Sequence, residues 1–411
     1  MTTQPTVPAP LAQAAARVRE SAENLAQAQT EFLADLIRHR SYTGEEGPAV
    51  ERTLEEMKKH GLGDVRASSA GDALATFGDG EYGLLYDAHV DHVDIGDEEA
   101  WPYPPLEPTI VDRTLYGIGA SDDKGSIASM VYGGAMAAAL NLTGDCTVTL
   151  MGATMEEDAE GFAQRHLLED DGLPTPDAVI IAEASDLVLR RGHRGRCEIR
   201  VRVPGEAAHA STPELGTNAI LAMRPVIDAI EEMGPSLPID PVLGQTTQVI
   251  TMIDSPPTPN STPGWCEVTI DRRITPGETT ESILADIRGM VEPLGATARV
   301  PTQTMRTWTG IDVSGPAFFP GWLLEEDDLL VEAGRLTGAA LWGEAPEVGV
   351  WPFSTNGTYY GGIAGIPTLG YGGMEEKYCH TPLDQVDLSM LLKGTMFYAL
   401  FPLAYSHMRQ A

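Results

Sequence analysis

Two imidazoles and a group of carboxylates sit at the ends of apolar runs in this chain of 411 residues. They are His89-Val90-Asp91, Asp122-Asp123-Lys124-Gly125, Glu156-Glu157, Glu183 and His380-Thr381-Pro382. Mixed His and Asp/Glu donors are a set that zinc accepts. Two metals about 3.5–4 Å apart need one carboxylate between them, terminal ligands on each side and an open position for water. A further carboxylate outside the ligands is needed to take the proton from that water. These residues satisfy that list without further histidines. Taken singly, each has an ordinary explanation. An H-x-D pair at a strand end is common in satisfied cores, adjacent glutamates are usually solvated, and Asp122-Asp123 reads as a turn or helix cap. Other chemistries are weaker here. No G-x-S-x-G nucleophile elbow occurs, and Gly117-Ile118-Gly119 runs into Asp122 instead of a third glycine. Cys379 and His380, as neighbours on one extended segment, are expected on opposite faces, which argues against a Cys/His dyad.

The elements that must position these groups alternate. Helices are expected at Leu11–Arg38, Pro48–His60 and Ser126–Asn141, the last rich in small residues and suited to lie flat on a sheet. Apolar strands are expected at Tyr82–Asp91, Cys146–Ala153 and Ala178–Ala182. This pattern argues for an α/β fold in which a central sheet is covered by helices, with its polar groups where strands end. Near Gly195 the pattern changes. Arg196–Val203 alternates with period two, as a half-exposed antiparallel strand does. A helix at Asn218–Met233, strands at Gln248–Ile253 and Trp265–Arg272, and a helix at Thr280–Val291 complete a β-α-β-β-α-β order. The organisation read from this is 1–195 and 307–411 as two parts of one α/β catalytic domain, with an α+β domain inserted at 196–306. The α/β pattern resumes with a helix at Leu324–Gly338 and ends in one from about Leu388.

The order of the motifs carries more than any one of them. H-x-D, G-x-G-x-x-D-x-K-G, E-E, a strand-terminal Glu, G-x-x-x-H-x-S-x-P-x-x-G-x-N-A and H-T-P follow one another from His89 to Pro382. This series resembles the dinuclear-zinc amidohydrolases and exopeptidases that include acetylornithine deacetylase, succinyl-diaminopimelate desuccinylase, aminoacylase and the glutamate carboxypeptidases, over about Glu31 to Leu403. The resemblance implies a mixed central sheet with an inserted ferredoxin-like lid and dimerisation domain. It implies two Zn2+ per subunit, with Co2+ or Mn2+ tolerated by similar N/O donors. His89 and Glu183 would hold one ion, Glu157 and His380 the other, and Asp122 would bridge them. Asp91 would orient the His89 ring and Glu156 would be the general base. His209 would reach the site of a partner subunit and polarise the scissile carbonyl. Asn260 and Arg273 align with substrate-carboxylate and oxyanion contacts, and Asn356, Gly357, Gly372 and Gly373 look like substrate-pocket loops.

Some positions depart from the family pattern. His92 stands where Thr is common, and reads as a non-ligand lining the cleft. Asp123 precedes Lys124 in place of Met or Gln, a rival to Asp122 that spacing disfavours. Gly372-Gly373-Met374 replaces Gly-Pro-Gly, so no particular substrate transfers. His193 reads as structural. The activity implied is hydrolysis of a small amide, an N-acyl amino acid or dipeptide. Tyr86-Asp87-Ala88-His89-Val90-Asp91 also resembles a branch associated with purine or selenium metabolism, for which N-carbamoyl compounds are the alternative substrates. A non-catalytic acidic binding protein retaining the fold is the alternative of another class.

Composition bounds the partners. With 27 Lys+Arg against 60 Asp+Glu the net charge is −33, which excludes a general nucleic-acid binder and disfavours an anionic membrane surface. Five acids assigned to the site cannot explain that excess, so most of it is surface. The four cysteines form no C-x-x-C pair and read as reduced thiols. The N-terminal stretch lacks the basic and apolar regions of a secretory signal, and Met396–Tyr405 is apolar but short. The expected setting is cytoplasmic, with a small-molecule substrate and a homodimer.

Overall fold

A computed structural model describes residues 4–410; Met1–Thr3 and Ala411, the outermost residues of the expected catalytic domain, lie outside the described residues. The main sheet has nine strands. Its centre is four parallel strands in the order Cys146–Ala153, Tyr82–His89, Ala178–Ile181 and Thr368–Gly370. Ala73–Phe77 flanks them antiparallel on one side and Leu189–His193 on the other. The near-continuous burial of Cys146–Ala153 and Ala178–Ile181 follows from helices covering both faces of a parallel sheet. Because the four strands are parallel, their carboxyl ends share one edge, and His89, Glu156 and Glu183 all emerge there.

The small-residue helix is Lys124–Ala139, and it is gripped from two sides. A Cβ on Gly134 would lie 2.7 Å from Leu150 of the sheet, and one on Gly133 would lie 2.7 Å from Tyr398 of the C-terminal helix. That C-terminal helix, Leu388–Gln410, is the one described helix long and apolar enough to cross a membrane. Its length exceeds what the apolar run Met396–Tyr405 suggests. Phe397, Tyr398, Leu400 and Phe401 are fully buried in the catalytic core, so its apolarity is accounted for by packing.

The inserted segment forms a second sheet in the antiparallel order Thr247–Asp254, Trp265–Ile274, Gly195–Pro204 and Thr297–Arg299. Cys197, Ile199, Val201 and Val203 alternate inward from the first of these in sequence and pack under helices Ala219–Met233 and Thr280–Val291. The expected β-α-β-β-α-β order is observed. Its far end is less sharp than a cut at 306/307: that point falls within the hairpin Thr302–Arg306/Asp312–Pro316, and Phe318–Phe319 then returns to pair with Cys197 and Arg196. The following helix starts later than read, at Leu329 and ends at Trp342, because Asp328 accepts the Leu330 N–H and caps it while Gly343 ends it at φ 82°.

Candidate metal centre

His89 ends its strand with its ring at the sheet edge. Its Nε2 lies 3.0 Å from Asp122 Oδ1 and 3.2 Å from Glu183 Oε1. The other oxygen of Asp122 faces a second group: His380 Nε2 is 3.2 Å from Asp122 Oδ2 and 3.1 Å from Glu157 Oε2. One carboxylate therefore touches two clusters, one oxygen to each. Donor atoms of His89, Asp122 and Glu157 lie within 4.8 Å of one another, as do those of His89, Asp123 and Glu183. Glu156 stands back, with Oε2 4.0 Å from His89 Nε2.

Positive charge is short at this edge. Burial pushes the Glu156 carboxyl well above its usual range, and Glu183 and Glu157 add to that. Glu157 is raised to about 7 by burial and by Asp122. Burial also works against the charges of Asp122 and His89, but their mutual contacts outweigh it. Asp122 is held well below the usual carboxylate range by His380 and His89, and His89 well above the usual imidazole range by Asp122, Asp91 and Glu183. Glu157 Oε1 and Asp123 Oδ1 are buried without a hydrogen-bond partner among the described residues. Buried carboxylates in this number call for cations, and oxygen with imidazole nitrogen is a donor set that fits divalent metals.

Asp91 ties the two halves together. His89 Nδ1 lies 3.1 Å from its backbone oxygen and 3.4 Å from its carboxylate. The same carboxylate accepts the N–H groups of Glu156 and Glu157, at 3.2 and 3.1 Å. Asp384, which the motif reading missed, works similarly on the other side. It accepts the Gly119 and Ser121 N–H groups at 2.5 and 2.7 Å, so the segment that carries His380 also holds the loop that carries Asp122. The H-T-P-x-D spacing was the available signal.

Around these groups lies a cleft of about 850 Å3, walled by Asp122, Glu156, Glu157, Glu183 and His380 with Arg196 and Arg273 from the inserted domain. Arg273 is thus brought to the site. Arg196, its register partner on the neighbouring strand, was not singled out; it is salt-bridged to Glu160 at 2.9 Å. His209 and Asn260 are absent from this wall. Both are exposed on the inserted domain, where His209 bridges to Ser261 and Asn260 accepts the Ala210 N–H.

Several expectations need correction. Asn356 does not face the cleft: it is buried, its side chain donating to Asp87 Oδ1 at 2.9 Å and accepting the Gly161 N–H at 3.0 Å. Gly357 packs on Trp322, where a Cβ would lie 2.4 Å from its indole nitrogen. Gly372 and Gly373 are glycines for close backbone approach, since a Cβ would meet Glu183 O at 2.0 Å and Met390 O at 2.2 Å. His380 and Cys379 are not on a strand. They follow the short turn Glu376–Tyr378, His380 has φ 57°, and both line the cleft. His92 is a tether and no lining residue: it is buried, its Nε2 accepts the Ser41 N–H at 3.0 Å and its Nδ1 lies 2.7 Å from Val93 O. Burial and Lys124 lower it to about 4, so the ring is neutral and Nδ1 is the donor. Asp123 spends Oδ2 on the His89 backbone N–H at 3.1 Å. His193 is buried, with Nε2 accepting the Thr355 N–H.

Comparison with known proteins agrees with this geometry. Residues 191–298 match the M20 peptidase dimerisation domain. The chain is 35% identical over 391 residues to the uncharacterised protein YgeY of Escherichia coli K12, covering 94% of this chain and 97% of YgeY. It is 30% identical over 228 residues to acetylornithine deacetylase of Vibrio campbellii, 54% of this chain and 59% of that one. The fold is shared with the Bacillus subtilis YXEP protein, described as a dinuclear metal binding peptidase of the M20 family, at TM-score 0.67 and 15% identity over 95% of this chain and all of that one. Motif order, fold and kinship coincide: the chain belongs to the M20 family of metallopeptidases and amidohydrolases.

Proposed function

We propose that this protein is a dinuclear zinc amidohydrolase that cleaves the amide of an N-acyl amino acid, dipeptide or related small molecule. The observation that carries the reading is Asp122, whose two oxygens face two separate His/Glu clusters at 3.0–3.2 Å. In this reading His89, Asp122 and Glu183 hold one ion, and Asp122, Glu157 and His380 the other. Zinc so held polarises a carbonyl and makes a nearby water acidic enough to attack at neutral pH; cobalt or manganese can do the same. Glu156, close to both clusters yet outside them, takes the proton of the attacking water and passes it to the leaving amine nitrogen. Arg273 binds the substrate from the lid side. Four free cysteines support a reducing, cytoplasmic setting.

The test is to purify the protein, count its metals by elemental analysis, and assay N-acetyl amino acids, dipeptides and N-carbamoyl compounds before and after chelation. The reading expects about two metals per chain and hydrolysis that chelation abolishes and zinc restores. Turnover confined to N-carbamoyl compounds would shift the substrate to the purine-type alternative. No metal and no turnover would leave a non-catalytic binding protein.

His209 acts across a dimer in this proposal. The strand Thr247–Asp254 ends its sheet, and it exposes Val249 at 60% and Ile253 at 56%; Leu221, on the helix Ala219–Met233, is 62% exposed. An apolar edge of this kind supports pairing with a second copy about a two-fold axis. Mixing His209→Ala and Glu156→Ala homodimers, each inactive, is expected to restore activity as subunits exchange. An active monomer in sedimentation, or no restoration after proven exchange, overturns the trans role.

A further inference from the structure

Three successive backbone N–H groups aim the two catalytic-edge glutamates, and each is held by a carboxylate. Met155, in the left-handed region at φ 63°, turns the chain out of the strand Cys146–Ala153. The next two N–H groups, of Glu156 and Glu157, go to Asp91. The first, of Met155 itself, goes to Glu46 Oε1 at 3.2 Å. Glu46 comes from far away in sequence, at the start of the helix Gly47–Lys59, where its own carbonyl accepts the Ala49 and Val50 N–H groups. It is fully buried, and Oε2 has no partner among the described residues. A buried carboxyl with half its capacity unused is costly. Burial and the charge of Asp91 raise it to about 8, so at neutral pH it serves chiefly as an uncharged acceptor. Glu157 Oε1 lacks a partner among the described residues. The placement of Glu156 and Glu157 therefore depends heavily on the corner from which they spring.

We propose that Glu46 is a positioning residue for this reaction, fixing the Met155 corner so that Glu156 and Glu157 reach their places. This rests on the roles given to those two glutamates above. Its test uses Glu46→Gln, which keeps length and acceptor, Glu46→Ala, which removes the acceptor, and Glu46→Asp, which shortens the reach. On the amide that the panel above shows to be cleaved fastest, Glu46→Ala and Glu46→Asp should lower kcat about 100-fold, the scale of a misplaced catalytic group. KM should change little, since substrate binding is not Glu46's task. Zinc titration of the metal-free proteins should show one of the two sites weakened about 10–100-fold, and Glu46→Gln should restore both readouts. A folded Glu46→Ala with kcat and zinc affinity near wild type overturns the proposal, and so do equal losses in the Gln and Ala variants. If the Ala variant does not fold, the contrast between Asp and Gln decides. Should Glu156→Gln prove harmless, the base assignment fails, while the zinc titration still tests Glu46 through Glu157.

Discussion

Glu156→Gln is expected to keep the metals of the proposed site and lose about 10^2–10^4-fold in kcat, the range for removing a well-placed general base. The geometry predicts the separation of these effects. The atoms facing His89 Nε2 as ligands stand at 3.0–3.2 Å, while Glu156 Oε2 stands at 4.0 Å. Glutamine fills the same volume and leaves His89, Asp122, Glu183, Glu157 and His380 in place, but its amide cannot take a proton from water. Burial pushes the Glu156 carboxyl well above its usual range, which makes it the stronger proton acceptor that a general base needs to be. Elemental analysis checks the first half of the prediction and steady-state kinetics the second. If Glu156→Gln turns over within about tenfold of wild type, the proton is taken elsewhere.

Much of this arrangement was legible before any coordinates. Cys146–Ala153 is a largely apolar run and Thr280–Val291 carries a helical period, and parallel strands deliver His89, Glu156 and Glu183 to one edge because successive strands share a direction. The proposed ligand set is marked by residue type and by order along the chain. What was not legible are groups whose role comes only from long-range packing. Glu46 is one acid in an acidic chain, and nothing local distinguishes it from solvated surface; Asp123 and Asp384 lie in or beside motifs, but their hold on the His89, Gly119 and Ser121 N–H groups comes only from the packed fold. Asn356, Gly372 and Gly373 failed in the opposite way. They stand in loops near the site, yet Asn356 holds the buried Asp87, and the glycines allow backbone to pass against Glu183 and Met390. Proximity in sequence to a site says little about which side of a loop faces it. His209 shows the remaining limit: its motif is clear, but a single chain leaves it exposed and away from the cleft.

Asp122→Asn should cost more than any single terminal ligand. Asp122 is the one described residue whose side chain contacts both histidines of the site, through Oδ1 to His89 and Oδ2 to His380. The substitution removes a charge that two metals would share in the proposed site, and turns one acceptor oxygen into an NH2 donor aimed at an imidazole or a cation. Either orientation of the amide spoils one cluster. The expected result is fewer than two metals per chain and a kcat lower by about 10^3-fold or more, as several kcal/mol of charge stabilisation are lost together. His380→Ala, by contrast, should weaken chiefly the cluster it shares with Glu157. Titration calorimetry of the metal-free proteins separates the cases: two binding events in wild type, one weakened in His380→Ala, both weakened in Asp122→Asn. Retention of two tight metals and wild-type turnover in Asp122→Asn would move the bridge to Asp123, whose Oδ1 is buried and unpartnered among the described residues. Asp123→Asn is the matched control. Because its Oδ2 already accepts the His89 N–H, that variant should disturb the placement of His89 while leaving the His380 cluster loaded.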